Sequence, residues 1–138
     1  MLIENSILEI LVSLFRQSGI KENESHIVLD ENATISLAKQ YIEDNIETAL
    51  CVADVASYCY LSTKQLTRLF NKFEGISPGD YIIKNRVKRI EKLLANHSLS
   101  LKQISLIMNF ENEYYFNAFF KRHSGMPPGE YRKMLGNP

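Results

Sequence analysis

Residues 52–81 read "VADVASYCYLSTKQLTRLFNKFEGISPGDY", and the spacing of apolar and capping residues in this stretch decides the fold. The apolar period predicts a short helix over about 51–58, followed by a tight turn. Ser62 suits the N-cap of a second helix, and Gln65, three places later, completes a capping box. Gly75 suits the left-handed conformation that ends a helix. Two helices joined by so short a turn are typical of a helix-turn-helix unit.

The unit occurs twice along the chain. The segment "GISPGDY" at 75–81 reappears as "GMPPGEY" at 125–131, an offset of 50. The apolar residues upstream match at an offset of 49, so the second copy has one extra residue between its two helices. Asn112 takes the N-cap position in that copy. Repetition of a supersecondary unit, together with the absence of strand-type alternation, predicts an all-α protein with two helix-turn-helix subdomains.

The repeated glycine-to-tyrosine segment is predicted to shape the chain and to have no direct role in chemistry. In the first copy Gly75 ends one helix, Ser77 caps the next and Pro78 occupies its first turn. Tyr81 is then placed to pack back on the unit just completed.

A long helix is predicted between the two units, over about 78–95, with Ile83, Val87, Ile90 and Leu94 facing inward. Its length of roughly 27 Å would hold two recognition helices near the ~34 Å that separates successive major-groove faces. The same helix carries five basic residues, of which some are expected to contact phosphate and the others to face water: Lys84, Arg86, Lys88, Arg89 and Lys92.

The first third of the chain differs from the rest. Residues 2–15 predict an extra amphipathic helix whose wide apolar stripe requires a packing partner, such as another subunit. Residues 18–33 are polar and aperiodic and are interpreted as a linker, followed by a helix over about 34–47. Lys39 and two other basic residues face nine acidic ones in residues 1–48, whereas the remainder holds thirteen basic and seven acidic residues. This asymmetry indicates an acidic partner for the second part of the chain, although the net charge is zero.

Composition and motifs exclude several classes of protein. No apolar run approaches the ~20 residues needed to cross a bilayer, and the acidic N-terminus is not a secretory signal. The histidines are isolated in sequence and no metal-ligand or catalytic motif occurs, so an enzyme is not expected. Cys51 and Cys59 are too few for a disulfide scaffold, and Cys51 is predicted to be a small core residue.

Residues 104–133, "ISLIMNFENEYYFNAFFKRHSGMPPGEYRK", are similar to the C-terminal pattern of the AraC/XylS family of bacterial transcription regulators. The first unit resembles the weaker N-terminal pattern of the same family, and the resemblance covers roughly residues 34–135. Four departures stand out. Asn109 replaces the usual glycine of the second turn, and Tyr60, at the matching place, predicts a looser or differently wound first turn. Ser105 replaces a usual alanine, and Ala118 replaces an arginine of some relatives, which predicts reduced or changed base reading by the second unit.

The resemblance implies a cytoplasmic, nucleoid-associated regulator, usually an activator, that binds double-stranded promoter or operator DNA, contacts RNA polymerase and needs no cofactor. It implies a DNA-binding domain over 33–138, with the first unit at about 34–77, the linker helix at about 78–95 and the second unit at about 99–135. Residues 1–32 then resemble the end of a sensing or dimerising domain, which suggests a homodimer. A short regulator without a sensor is the alternative. An all-helical protein-interaction adaptor with a basic face is the rival function.

Base reading requires donors and acceptors on the exposed face near the N-terminus of each second helix. Because Leu66, Leu69, Phe70 and Phe73 should face inward in the first unit, and Phe116, Phe119 and Phe120 in the second, the opposite faces are available. The predicted base-reading residues are Thr63, Lys64, Thr67, Arg68, Glu113, Tyr114 and Asn117. The predicted phosphate contacts are Ser62, Asn71, Lys72, Lys84, Lys88, Lys121 and Arg122. Arg68 is the leading reader because a guanidinium can bond O6 and N7 of guanine together. For each residue the alternative is an ordinary solvated helix face.

Overall fold

The computed structural model describes residues 30–136, which form seven α-helices and no strand. The helices are α1 (Glu31–Asp44), α2 (Val52–Tyr58), α3 (Thr63–Phe73), α4 (Pro78–Leu94), α5 (Leu101–Ile107), α6 (Glu113–Ser124) and α7 (Pro128–Met134). The all-α prediction is confirmed, and α2–α3 and α5–α6 form the two predicted helix-turn-helix units. The helix predicted over 2–15 lies outside the described residues.

Helix α1 begins earlier than the sequence pattern indicated. The apolar period starts at Ile35, so the helix was predicted from about 34, whereas it begins at Glu31. The cause is Asp30, whose Oδ1 accepts a hydrogen bond of 2.7 Å from the backbone N–H of Ala33. This bond satisfies a donor that the first helical turn leaves unpaired. The end of the predicted linker, up to residue 33, is therefore helical.

Each unit has a hydrophobic core of its own. The first core is formed by Ile35, Ala38, Ile42, Val55, Ala56, Leu66, Leu69, Phe70, Tyr81 and Ile82. The second core is formed by Ile90, Leu93, Leu94, Ile104, Met108, Phe116 and Phe120. Helix α4 contributes to both cores and contacts both α3 and α6. Helix α4 therefore belongs to both units and helps to fix the positions of the two recognition helices, α3 and α6.

The glycine-to-tyrosine segments have the predicted role in both copies. Ser77 Oγ accepts a hydrogen bond of 3.1 Å from Asp80 N–H at the start of α4. Tyr81 then meets Phe70 edge-on, with ring centroids 5.3 Å apart, in the core of the first unit. The second copy repeats the contact between Tyr131 and Phe120 at 5.4 Å. Each segment thus ends a recognition helix and ties the following helix to the unit just completed.

The two turns have the same conformation, so the prediction of a looser first turn is wrong. Tyr60 has φ 57° and Asn109 has φ 59°. Each turn is closed by the paired hydrogen bonds of a Schellman motif, with Leu61 N–H bonded to Ala56 O at 2.9 Å in the first copy. The next residue packs against the core, and this packing offsets the ~1–2 kcal/mol that a left-handed non-glycine residue costs.

The buried face of α4 is rotated from the predicted one. Ile90 and Leu94 are buried as expected, but Ile83 and Val87 are only half-buried. Their places are taken by Ile82 and Arg86, with 5% and 9% of their surface exposed. Arg86 is therefore no candidate for a phosphate contact, because its guanidinium is bonded within the protein.

The cysteine prediction is wrong for Cys51, which is exposed at the N-cap of α2. Its backbone N–H and its thiol each lie 3.0 Å from Oδ2 of Asp54. These hydrogen bonds, the thiol's first, lower the pKa of Asp54. Cys59 is the more enclosed cysteine, and burial raises the pKa of its thiol to about 11. Cys59 is consequently protonated and weakly nucleophilic near neutral pH.

Candidate nucleic-acid interface

Helix α3 exposes the polar face that the sequence predicted. Ser62 Oγ accepts from Gln65 N–H at 3.1 Å, and Gln65 Oε1 accepts from Ser62 N–H at 2.9 Å, which confirms the capping box. The inward residues Leu66, Leu69 and Phe70 are buried, while Phe73 is half-buried. The exposed residues are Ser62, Thr63, Lys64, Gln65, Arg68, Asn71 and Lys72. The outward face of α3 therefore contains none of the apolar side chains that pack into the core.

Thr67 is less available than the other predicted readers of α3. It is half-buried, and its hydroxyl donates a hydrogen bond of 2.8 Å to the Thr63 carbonyl. Its methyl group, rather than its hydroxyl, is then the group that can meet a base, and a thymine methyl is the apolar contact available in the major groove.

Helix α6 presents a different surface chemistry. Asn112 Oδ1 caps the helix by accepting a 3.0 Å hydrogen bond from Tyr115 N–H. Tyr114 has 74% of its surface exposed and contacts Tyr115, 50% exposed, edge-on at 5.4 Å. Two adjacent exposed aromatic rings thus mark the start of this helix. Sequence reasoning had singled out only Tyr114.

The other predicted contacts of α6 are spread along its outer side. Glu113, Lys121 and Arg122 are exposed, whereas Asn117 is half-buried. Ala118 is exposed, and its side chain offers no donor. Hydrogen bonding to bases by this helix is therefore limited to few side chains.

The basic residues of α4 divide into two groups. Lys84 and Lys88 are exposed, one turn apart, beside an open groove that also contains Glu91 and His123. Arg89, by contrast, forms a 2.7 Å ion pair with Glu47. The two lysines remain suited to phosphate contacts, and Arg89 is already engaged.

Sequence reasoning missed an acidic residue beside the outward face of α3. Glu31, at the start of α1, lies 3.5 Å from Arg68 Nη1 and 3.3 Å from Lys72 Nζ. The structure thereby brings the leading base reader and a predicted phosphate contact to one carboxylate. The three side chains are 42–63% exposed, so the ion pairs are weak ones that a phosphate can replace.

Two capped, outward-facing helices, each the second of a helix-turn-helix unit and both packed on one long helix, define a DNA-binding protein of the double helix-turn-helix class. A family model described as "Helix-turn-helix domain" matches residues 46–134. The chain is 30% identical over 131 residues to the Msm operon regulatory protein of Streptococcus mutans, covering 95% of this chain and 46% of that protein. It therefore belongs to the AraC family of transcriptional regulators.

Further relatives agree with this assignment. The raffinose operon transcriptional regulatory protein RafR of Pediococcus pentosaceus is 28% identical over 112 residues, covering 81% of this chain and 40% of that protein. The chain spans about half the length of the curated relatives it matches.

Solved structures share the fold. An AraC-type transcriptional regulator from Chromobacterium violaceum superposes with a TM-score of 0.67 at 32% identity, covering 78% of this chain and 96% of that one. The DNA-binding domain of AdpA, solved in complex with a target DNA, has a TM-score of 0.66 at 20% identity, covering 74% and 92%. At that identity the AdpA likeness concerns the fold alone.

Residues 30–136 were also compared with the requirements for a membrane-spanning helix and for a metal site. No helix in this part of the chain is long and apolar enough to cross a membrane. No group of three His, Cys, Asp or Glu side chains within the same residues is arranged to hold a metal ion.

Proposed function

We propose that this chain regulates transcription by reading two successive major-groove segments on one face of a DNA duplex, one with α3 and one with α6. The observation that carries the proposal is the repeated exposure of a capped second helix whose apolar side faces a core and whose polar side faces outward. An α-helix fits the major groove, where every base pair has a distinct pattern of donors and acceptors.

The proposed contacts follow the exposed faces. Base edges would be read by Thr63, Lys64, Thr67, Arg68, Glu113, Tyr114 and Asn117. Phosphates would be contacted by Ser62, Asn71, Lys72, Lys84, Lys88, Lys121 and Arg122. Among the proposed base readers, the charged hydrogen-bond donors Lys64 and Arg68 both lie in the first unit, so this unit would contribute most of the selectivity. The second unit, with its two tyrosines, would add apolar and phosphate contacts.

The regulator as a whole would act in the cytoplasm at the nucleoid, without enzymatic activity, and would activate transcription through contact with RNA polymerase. The DNA-binding domain would extend from the start of α1 to residue 138, because α1 packs in the core of the first unit. The residues before α1 would belong to a sensing or dimerising part. Family membership supports these statements, and the exposed polar faces of α3 and α6 support the DNA-binding part.

Selection of bound duplexes from a random pool tests the proposal most directly. The expected result is an enriched bipartite motif whose two parts lie about one helical turn apart, at 10–10.5 base pairs. An adaptor that binds an acidic protein would enrich no sequence. Equal binding to selected and scrambled duplexes at every salt concentration would contradict sequence reading.

Lys121→Ala is expected to weaken binding to all duplexes alike, because a lysine that contacts phosphate carries no sequence information. The slope of log K against log salt should flatten by about one, since one fewer counterion is released. Titrations of a selected and a scrambled duplex at several salt concentrations measure both effects. Lys133→Ala, which removes an exposed lysine of α7, is the matched control. A loss confined to the selected duplex would show that Lys121 reads bases instead.

Glu31→Gln is expected to raise the affinity for DNA by about 1.5- to fivefold at low salt, because exposed ion pairs contribute ~0.2–1 kcal/mol. The carboxylate holds Arg68 and Lys72 where an incoming phosphate must compete for them. Glu43→Gln removes an exposed charge from the same helix and controls for net charge. The prediction is wrong if both variants change the affinity equally, or if Glu31→Gln lowers it.

A further inference from the structure

A cluster of hydrogen bonds joins the two helix-turn-helix units directly, in addition to the shared helix α4. It connects the loop after α1 with α4 and with the turn that precedes α6. We call it the inter-unit lock, and its members are Ile46, Glu47, Thr48, Arg86, Arg89, Met108 and Asn109. None of the residues proposed to touch DNA belongs to it.

Arg86 lies at the centre of the inter-unit lock. Its Nη1 donates to the carbonyl oxygens of Ile46 at 2.8 Å and Thr48 at 2.7 Å, both in the first unit. Its Nη2 donates to the Met108 carbonyl at 2.9 Å, in the turn of the second unit. The ring of Phe110 lies 4.9 Å from the guanidinium carbon. One buried guanidinium thereby bonds backbone from both units, in the planar, multidentate geometry that arginine provides.

Asn109 forms a second connection, which depends on the departure from glycine. Its Nδ2 donates a 3.0 Å hydrogen bond to the Glu47 carbonyl. Glu47 is held from the other side, because its carboxylate accepts from Arg89 Nε at 2.7 Å. A glycine would adopt φ 59° without strain, yet it could not reach Glu47. The asparagine therefore accepts an unfavourable backbone conformation and makes a bond between the units.

Because of the position of Asn109, this bond restrains the recognition helix α6. The residue lies in the turn between α5 and α6, three places before the N-cap of α6. A bond from this turn to the loop after α1 restrains the start of α6 relative to the first unit. The orientation of α6 matters because one base pair added between the half-sites shifts the second half-site by ~3.4 Å along the duplex. The same base pair rotates that half-site by roughly 35° about the duplex axis.

We propose that Asn109 is a positioning residue that, together with Arg86, fixes the separation and angle of the two recognition helices, so that the protein accepts one spacing between its half-sites. The proposal rests on the two-segment reading proposed above and specifies how its spacing is set. Loss of the bond should leave each helix able to bind, while permitting the second unit to follow a displaced half-site.

Asn109→Gly in the full chain is the test, because glycine suits the left-handed backbone and lacks the side-chain amide that bonds Glu47. Binding is measured on the selected duplex and on duplexes with one base pair added or removed between the half-sites. The unchanged protein should lose about tenfold or more in affinity at either altered spacing, since the misfit must be absorbed by deforming the DNA. The glycine variant should lose only about threefold in affinity at the altered spacings, because its second unit can move and the DNA is deformed less.

Two controls separate spacing from folding. Glu111→Gln changes an exposed residue two places further along the same turn and should keep the steep dependence on spacing. Urea unfolding of the glycine variant should show a midpoint at or above that of the unchanged protein. This outcome excludes partial unfolding as the cause of relaxed spacing.

The possible failures are distinguishable. An equally steep dependence on spacing in the glycine variant, or no dependence in the unchanged protein, overturns the role of Asn109 while bipartite selectivity persists. Loss of selectivity for any duplex by the unchanged protein overturns the proposed function itself, and the spacing inference with it.

Discussion

Arg68→Ala is expected to remove the preference for one base pair of the binding site, with a loss of discrimination of about 5- to 150-fold. This range corresponds to the ~1–3 kcal/mol that a bidentate side chain contributes against the wrong base. Arg68 is 63% exposed on the outward face of α3, where it pairs with the displaceable carboxylate of Glu31. Selection profiles of the variant and the unchanged protein should differ at one position of the first half-site.

The matched control for Arg68 is Arg122→Ala, which removes an exposed arginine near the end of α6. Because Arg122 is proposed to contact phosphate, its loss should weaken binding to all sequences and leave the selected motif unchanged. An unaltered motif in Arg68→Ala would show that this arginine is a solvated residue or a phosphate contact. The affinity for scrambled duplexes then decides between these two outcomes.

Arg86→Leu is expected to lower the free energy of unfolding by about 3 kcal/mol or more, because three backbone carbonyls would lose their buried donor. The carbonyls belong to Ile46, Thr48 and Met108, in the two units that Arg86 joins. Domains of this size have a total stability of only ~5–15 kcal/mol. Urea unfolding should therefore show a marked shift of the midpoint.

Arg89→Gln serves as the comparison for Arg86, since it removes a neighbouring arginine of the same helix. Its ion pair with Glu47 is 42% exposed on the arginine side. Exposed pairs of this kind contribute at most about 1 kcal/mol. If Arg86→Leu shifted the midpoint no further than Arg89→Gln, the central role of Arg86 in the lock would be wrong.

The two arginines show why sequence reasoning assigned some residues of α4 correctly and others not. The apolar period placed Ile90 and Leu94 inside, and both are buried. The same period predicted that Arg86 is solvent-exposed, although it lies one helical turn from Ile82 and one helical turn from Ile90, which are both buried. A charged side chain at a buried position of the period was the available signal. This signal is a weak one, because arginine is rarely buried without a partner and the period does not show a partner.

The sequence by itself determined the helices of the two units, the Ser62, Ser77 and Asn112 caps, and the repeated packing of Tyr81 and Tyr131. Each of these depends on side chains within about one or two helical turns of one another, where spacing alone decides which groups can meet. The outward faces of α3 and α6 followed from the same local rule.

Only the tertiary structure decided which charged and polar groups meet across the fold. Arg86 bonds residues 40 and 22 positions away, Asn109 bonds one 62 positions away, and Glu31 reaches Arg68 over 37 positions. The helical period states which way a side chain points, but it does not state what lies opposite. Those partners are set by how α1, α4 and the second turn pack together, and the inter-unit lock exists only in that packing.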